Sequence, residues 1–160
     1  MMRRFVVLLA ALVLPVQASA LSCLAPSVQR TFNEVHAAPE TYVVVRGRLT
    51  LDPRKLPRNN HGTSKPAKMT QVPAKLIGKS MSKSGFVVPF ENTVMLEVAC
   101  YGPWCGSVAN GQETLAFVKR DAGSYALGIN PCGGRAFTNP SAADLKKVLG
   151  CFNGAACDAP

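Results

Sequence analysis

Residues 53–84 read PRKLPRNNHGTSKPAKMTQVPAKLIGKSMSKS, with eight cations, Arg54, Lys55, Arg58, Lys65, Lys68, Lys75, Lys79 and Lys83, and no Asp or Glu. The stretch is rich in Pro, Ser, Gly and Asn and has no sustained apolar period. It therefore reads as a long basic insertion between the strands on either side. Loops of this length without secondary structure are uncommon in compact domains, which leaves room for an unrecognised strand inside it. Its charge has two competing explanations. A solvated loop needs the cations only to stay open, whereas a functional patch would hold an anionic surface such as acidic lipid headgroups, polysaccharide or nucleic acid. No aromatic residue is interleaved to stack on a base, so solvation is favoured and nucleic acid suits least.

Outward from this segment the patterning becomes regular. Before it, 42–51 is a strand: its Tyr-Val-Val-Val start is β-branched, and Val43, Val45, Gly47, Leu49 and Leu51 fall on one side. Gly47 would relieve crowding at a tight bend. After it, 93–99 places Val94, Leu96 and Val98 inward against Glu97, and Gly102-Pro103 turns the chain. Strands at 113–119 and 124–129 form a hairpin through Asp121-Ala122-Gly123. Helices flank these strands. One starts near Ser27, repeats Val28, Phe32 and Val35 on one face and ends at Pro39. The other runs over 141–149, opened by the Ser141/Asp144 capping spacing and stopped by Gly150. Strands framed by helices, with no β-α-β period and no repeat, predict a mainly β fold built as a small barrel.

Residues 1–20 have the three parts of a signal peptide: Arg3 and Arg4, an apolar run at 5–14 closed by Pro15, and Ala18-Ser19-Ala20. Cleavage after Ala20 leaves 21–160 as a single periplasmic or secreted domain, and loss of Arg3 and Arg4 lowers the net charge from +9 to +7. The apolar run falls short of the ~20 residues a spanning helix needs, so no membrane anchor is expected. A lipoprotein signal ending at Cys23 is the weaker alternative, because lipidation would leave an odd number of thiols.

Six cysteines follow: Cys23, Cys100, Cys105, Cys132, Cys151 and Cys157. In an oxidising compartment they read as three disulfides, each worth roughly 2–4 kcal/mol, with a pairing that sequence alone does not choose. A local Cys151–Cys157 bridge is sterically open. A zinc cluster fits worse. Cys100 and Cys105 lack a matching close pair, Cys151 and Cys157 are widely spaced, and only His36 and His61 could add ligands. No metal or cofactor is expected. Trp104-Cys105-Gly106 shares letters with a thioredoxin active site, but Ser107 and Val108 occupy the place of a resolving cysteine. A thiol oxidoreductase is thus the sole enzymatic alternative, and a remote one. Trp104 reads as cover for a disulfide or filler of a barrel end, with an exposed binding anchor as the other reading. Nucleophile-elbow, His-x-x-x-His and phosphate-loop motifs are missing.

The helix after Cys23, Val-Val-Val-Arg-Gly-Arg at 43–48, Val-Met-Leu-Glu-Val at 94–98, Cys105-Gly106, Gly-Gln-Glu-Thr-Leu-Ala-Phe at 111–117 and Asn130-Pro131-Cys132 ahead of a terminal helix with Cys151 together resemble the netrin-like module. This module includes the inhibitory domains of tissue inhibitors of metalloproteinases and small bacterial exported proteins. The resemblance implies a five-stranded OB-like barrel with N- and C-terminal helices. It also implies Cys23 tied to the barrel through Cys105 or Cys132, Cys151 joined to the barrel, and Cys100 and Cys157 left for another bridge. In those inhibitors a terminal cysteine grips the protease zinc, and Cys23 is the matching position. Here Leu21 and Ser22 precede it after the expected cleavage, and Leu24-Ala25 follows where the inhibitors have Cys-x-Cys. The first expectation is therefore a non-catalytic exported interaction or structural domain with an unknown macromolecular partner. Inhibition of an exported zinc metalloprotease is the second, and it requires cleavage after Ser22 so that Cys23 comes first.

Overall fold

The computed structural model describes residues 21–60, 62 and 65–159; the expected signal peptide and His61 lie outside the described residues. Two helices, α1 (Val28–Ala37) and α2 (Ala142–Phe152), bracket seven strands: β1 (Thr41–Leu51), β2 (Met69–Ser82), β3 (Gly85–Tyr101), β4 (Trp104–Cys105), β5 (Glu113–Asp121), β6 (Ser124–Ile129) and β7 (Ala136–Thr138). Each helix begins where its sequence supplies a cap. The Ser27 hydroxyl accepts from the Arg30 amide, and Ser141 and Asp144 close a reciprocal capping box.

β1, β2 and β3 form an antiparallel meander, β6 lies parallel to β3, and β5 is antiparallel to β6, β7 and β1. The hydrogen-bonded order is β1-β2-β3-β6-β5-β7, with β4 on β3 and a further pairing between β1 and β5. The expected five-stranded OB-like (netrin-like) barrel is thus replaced by a seven-stranded mixed sheet flanked by two helices. The decisive difference lies in residues 53–84. Only the part before Met69 is a connection, and it includes a short 3-10 turn at Pro53–Lys55. The rest is β2 and the turn into β3. β2 runs 14 residues with Val72, Ala74 and Leu76 buried and Gln71, Pro73, Lys75 and Ile77 exposed between them. Its lysines are the solvent-facing half of a period-two pattern.

One core cluster joins Val45 and Leu49 of β1, Val72 and Leu76 of β2, Val94, Leu96 and Val98 of β3, Val118 of β5 and Leu127 and Ile129 of β6, with no helical residue among its members. Strand residues supply its buried members, and Leu56 and Val108 of the connections pack against it. Each such side chain contributes roughly 1.5–3 kcal/mol by leaving water. At one point β1 and β2 leave no room for side chains between them, and paired glycines sit there. Gly47 faces Gly78 in register. A Cβ on Gly47 would lie 2.5 Å from the Ile77 carbonyl oxygen, and one on Gly78 would lie 2.2 Å from that of Arg46. On the opposite face, Val28, Phe32 and Val35 of α1 and Val148 of α2 cover Val44, Leu115 and Phe117. The helices thus shield the β1/β5 part of the outer surface, with Met81 of β2 in the same cluster and Phe86 of β3 and Phe137 of β7 packed against it. Near the β2–β3 turn the register shifts, leaving Val87 as the extra residue of a bulge.

The disulfides are Cys23–Cys132, Cys100–Cys105 and Cys151–Cys157. The pairings implied for Cys151 with the barrel and for Cys100 with Cys157 are not formed. Cys100 and Cys105 lie opposite each other in the β3–β4 hairpin, and Cys157 folds back beside the end of α2.

Candidate functional site

Residues 21–27 have no regular structure, yet several attachments hold them across the outer face of the sheet. Cys23 is bonded to Cys132, the Arg30 guanidinium donates to the Ala25 carbonyl at 2.9 Å, and Ser27 caps α1. The landing point is equally constrained. Asn130 accepts from the Cys132 amide at 2.8 Å, Gly133 and Gly134 have positive φ, and the Arg135 amide donates to the Gly128 carbonyl at 2.9 Å. The result is a strap of chain bridging the start of α1 and the 130–135 loop.

Beneath the strap is a crevice of about 450 Å³. Its walls include Arg30 and Glu34 of α1, Glu97 and Tyr101 of β3, Met69 of β2 and Arg135 from the loop, and its lining includes Gly128 of β6. Arg135 is fixed from behind: it donates to the Tyr42 hydroxyl and its guanidinium sits 4.6 Å from the Tyr42 ring centroid. Leu24, Met69 and Tyr101 border the same space while 75%, 52% and 45% exposed. Large apolar side chains left in water around a concavity mark a binding surface more often than a packing fault. Gly128 is the most informative lining residue. A Cβ there would meet nothing within 4 Å, so neither sterics nor a positive φ requires glycine at this position. Glycine inside a strand weakens it, and here it leaves a lining position of the crevice without a side chain.

A second concavity, about 370 Å³, lies on the outer face of β1 and β2 and is lined by Arg46, Arg48, Lys79, Phe86, Glu113 and the backbone of Gly47 and Gly78. Arg46 is ion-paired with Glu113, and this hydrogen bond holds the Glu113 carboxyl below its ordinary pKa. Arg48 donates to the Gly111 carbonyl.

The cations picked out from residues 53–84 do not converge. Arg54 pairs with Asp52 at 2.9 Å and Lys75 with Glu91 at 2.7 Å, which lowers the pKa of both carboxyls. Arg54 and Lys55 lie in the 3-10 turn, Arg58, Lys65 and Lys68 in irregular chain, and Lys83 at the β2–β3 turn. Of the eight, Lys79 alone lines the basic recess; the recess arginines come from β1 and entered the sequence reading only within Val-Val-Val-Arg-Gly-Arg at 43–48, not as a charged site. Trp104 is half-buried in β4, and the exposed aromatic of that turn is its cross-strand neighbour Tyr101. Among the described residues no group of three or more His, Cys, Asp or Glu is placed to hold a metal, and no helix is long and apolar enough to cross a membrane.

Comparison with protein-family models, with curated proteins and with solved structures gives no match. The netrin-like resemblance does not hold: the chain has a seven-stranded mixed sheet in place of the implied five-stranded barrel, and neither the implied bridge from Cys151 to the barrel nor Cys100–Cys157 forms. Cys23, the position matching the inhibitors' zinc-gripping cysteine, is joined to Cys132, one of the two partners the resemblance implied for it.

Proposed function

We propose that this chain is an exported, non-catalytic binding domain that receives an extended, apolar-bearing segment of a partner protein in the crevice under the Cys23–Cys132 strap. The bare position at Gly128 carries this reading: a strand residue accepts a stability cost that the fold does not demand, in the lining of a crevice that exposed Leu24, Met69 and Tyr101 also border. The volume suits one or two inserted side chains. Arg30 and Arg135 are already held by the fold, so a partner's carbonyls and carboxylates would meet donors at little cost in ordering.

A photo-crosslinking residue replacing Tyr101 in the full chain, expressed in its host, tests the proposal. A discrete adduct is expected, absent when the same residue replaces Ile77 and lost on Gly128→Trp, which fills the bare position. No adduct at 101, or one indifferent to Gly128→Trp, refutes the crevice as the site. N-terminal analysis of the exported protein checks the compartment, with Leu21 expected first.

A further inference from the structure

The outer face of β1 changes character at Arg46. Toward its start, Tyr42 and Val44 lie among the helix-covered apolar residues. Beyond that cover, Arg46 and Arg48 face outward, directly across from Lys79 and Ile77 of β2, with Glu113 of β5 opposite Arg48 on the other edge. Like charges directly opposed across an antiparallel pair are destabilising, and Arg46 against Lys79 is such a pair. Glu113 offsets one of the three cations. The Lys79 ammonium has no hydrogen-bond or ion-pair partner among the described residues. Both arginines are oriented in advance, Arg46 through its Nε by Glu113 and Arg48 through Nη1 by the Gly111 carbonyl. Two fixed guanidinium forks and an ammonium around a recess match the geometry of an oxyanion better than a diffuse basic surface does.

We infer that this recess is a second binding site, independent of the crevice, for a tetrahedral oxyanion ester, a phosphate or sulfate group held by Arg46, Arg48 and Lys79. The recess is larger than the anion alone, and Phe86 forms an apolar wall against which the carrier would rest. Val87 and Val88 follow Phe86 in β3 and are about half exposed, at 48% and 47%. As exposed apolar residues at the same end of β3 as Phe86, they would meet the acyl region if the carrier is a lipid.

Calorimetric titration of the full oxidised protein with inorganic phosphate, inorganic sulfate, glycerol phosphate and phosphatidylglycerol–phosphatidylcholine vesicles tests the site. Saturable binding is expected, weakened roughly tenfold or more by Arg48→Gln and by Lys79→Gln, a loss of about 1.4 kcal/mol each. Lys75→Gln, on the same face of the same strand but paired with Glu91, is expected to leave it unchanged, and thermal unfolding confirms that each variant is folded. Vesicle binding that exceeds glycerol phosphate and falls with Val87→Ser plus Val88→Ser assigns the ester to a lipid headgroup. Equal affinities, indifferent to those serines, assign it to a soluble ester. Both results support the site. No binding by any probe at millimolar concentration, or equal weakening by Lys75→Gln and Lys79→Gln, overturns it.

Discussion

Alanine substitution should have opposite effects at two kinds of glycine in this sheet. A methyl at Gly47 would meet the Ile77 carbonyl oxygen at 2.5 Å and the Gly78 Cα at 2.9 Å, and one at Gly78 would meet the Arg46 carbonyl oxygen at 2.2 Å. Relieving either contact requires backbone to move by about 1 Å within a register hydrogen-bonded on both sides of the pair. Overpacking of side chains, which can rotate away, costs roughly 1–3 kcal/mol; a fixed carbonyl puts Gly47→Ala and Gly78→Ala at about 3 kcal/mol or more. Gly128→Ala meets no atom within 4 Å and should stabilise β6 by roughly 0.5–1 kcal/mol by restricting the unfolded chain. The variants should therefore differ by about 4 kcal/mol, a large share of the roughly 5–15 kcal/mol that holds a typical domain together. Urea denaturation of the oxidised proteins with linear extrapolation measures it. A Gly47→Ala protein within about 1 kcal/mol of the parent would refute the claim that β1 and β2 need glycine where they cross most closely. A Gly128→Ala protein less stable than Gly47→Ala would refute the claim that glycine at this crevice position is optional for the fold.

The disulfides should rank by the length of chain they close. Cys23–Cys132 spans 109 residues against 5 and 6 for the local bridges, so replacing both cysteines by serine should cost about 5 kcal/mol for the first and about 2 kcal/mol for each of the others. Equal losses in urea unfolding would contradict that ranking. Glu113 should add a small acid-sensitive increment. Its folded pKa is depressed by Arg46 below the ordinary 4.5, so the increment is present above that value and disappears as pH falls through the lowered one. With both side chains nearly half exposed, the gap between the parent and Glu113→Gln at pH 7 should stay within about 1 kcal/mol and close on acidification. A gap that persists in acid would point to packing instead of charge.

Strands with branched apolar residues on one side and charge on the other were readable from sequence. β1, β5 and β6 lie within two residues of their expected bounds at each end, as does the Ser141/Asp144 cap of α2. β2 was hidden because its inward row passes from Val72, Ala74 and Leu76 to Gly78 and Ser80, while Pro73 stands among its outward residues. The alternation of Val72, Ala74 and Leu76 with Gln71, Lys75 and Lys79 was the available signal. The first half of β3 was missed for a related reason, since Val87, Val88 and Pro89 are all exposed around the bulge and break the period. Neither concavity could be read, because each gathers residues from strands far apart in the chain. The basic recess exists only once register sets Lys79 against Arg46, and the crevice only once Cys23 is tied to Cys132.

The arrangement of bridges also bears on the order in which they form. Chain growth presents Cys23 first, and the next thiols to appear are Cys100 and Cys105, both wrong partners. Their protection against mispairing is each other: a loop of 5 residues closes far more readily than one spanning most of the domain, so the β3–β4 hairpin removes both competitors before Cys132 emerges. Cys151 and Cys157 consume each other by the same rule. What remains for Cys23 is the single thiol whose capture requires β6 and its loop to be in place. Closing the strap thus reports that the sheet has assembled, and a chain that stalls earlier would carry a free Cys23 and a free Cys132 as its signature.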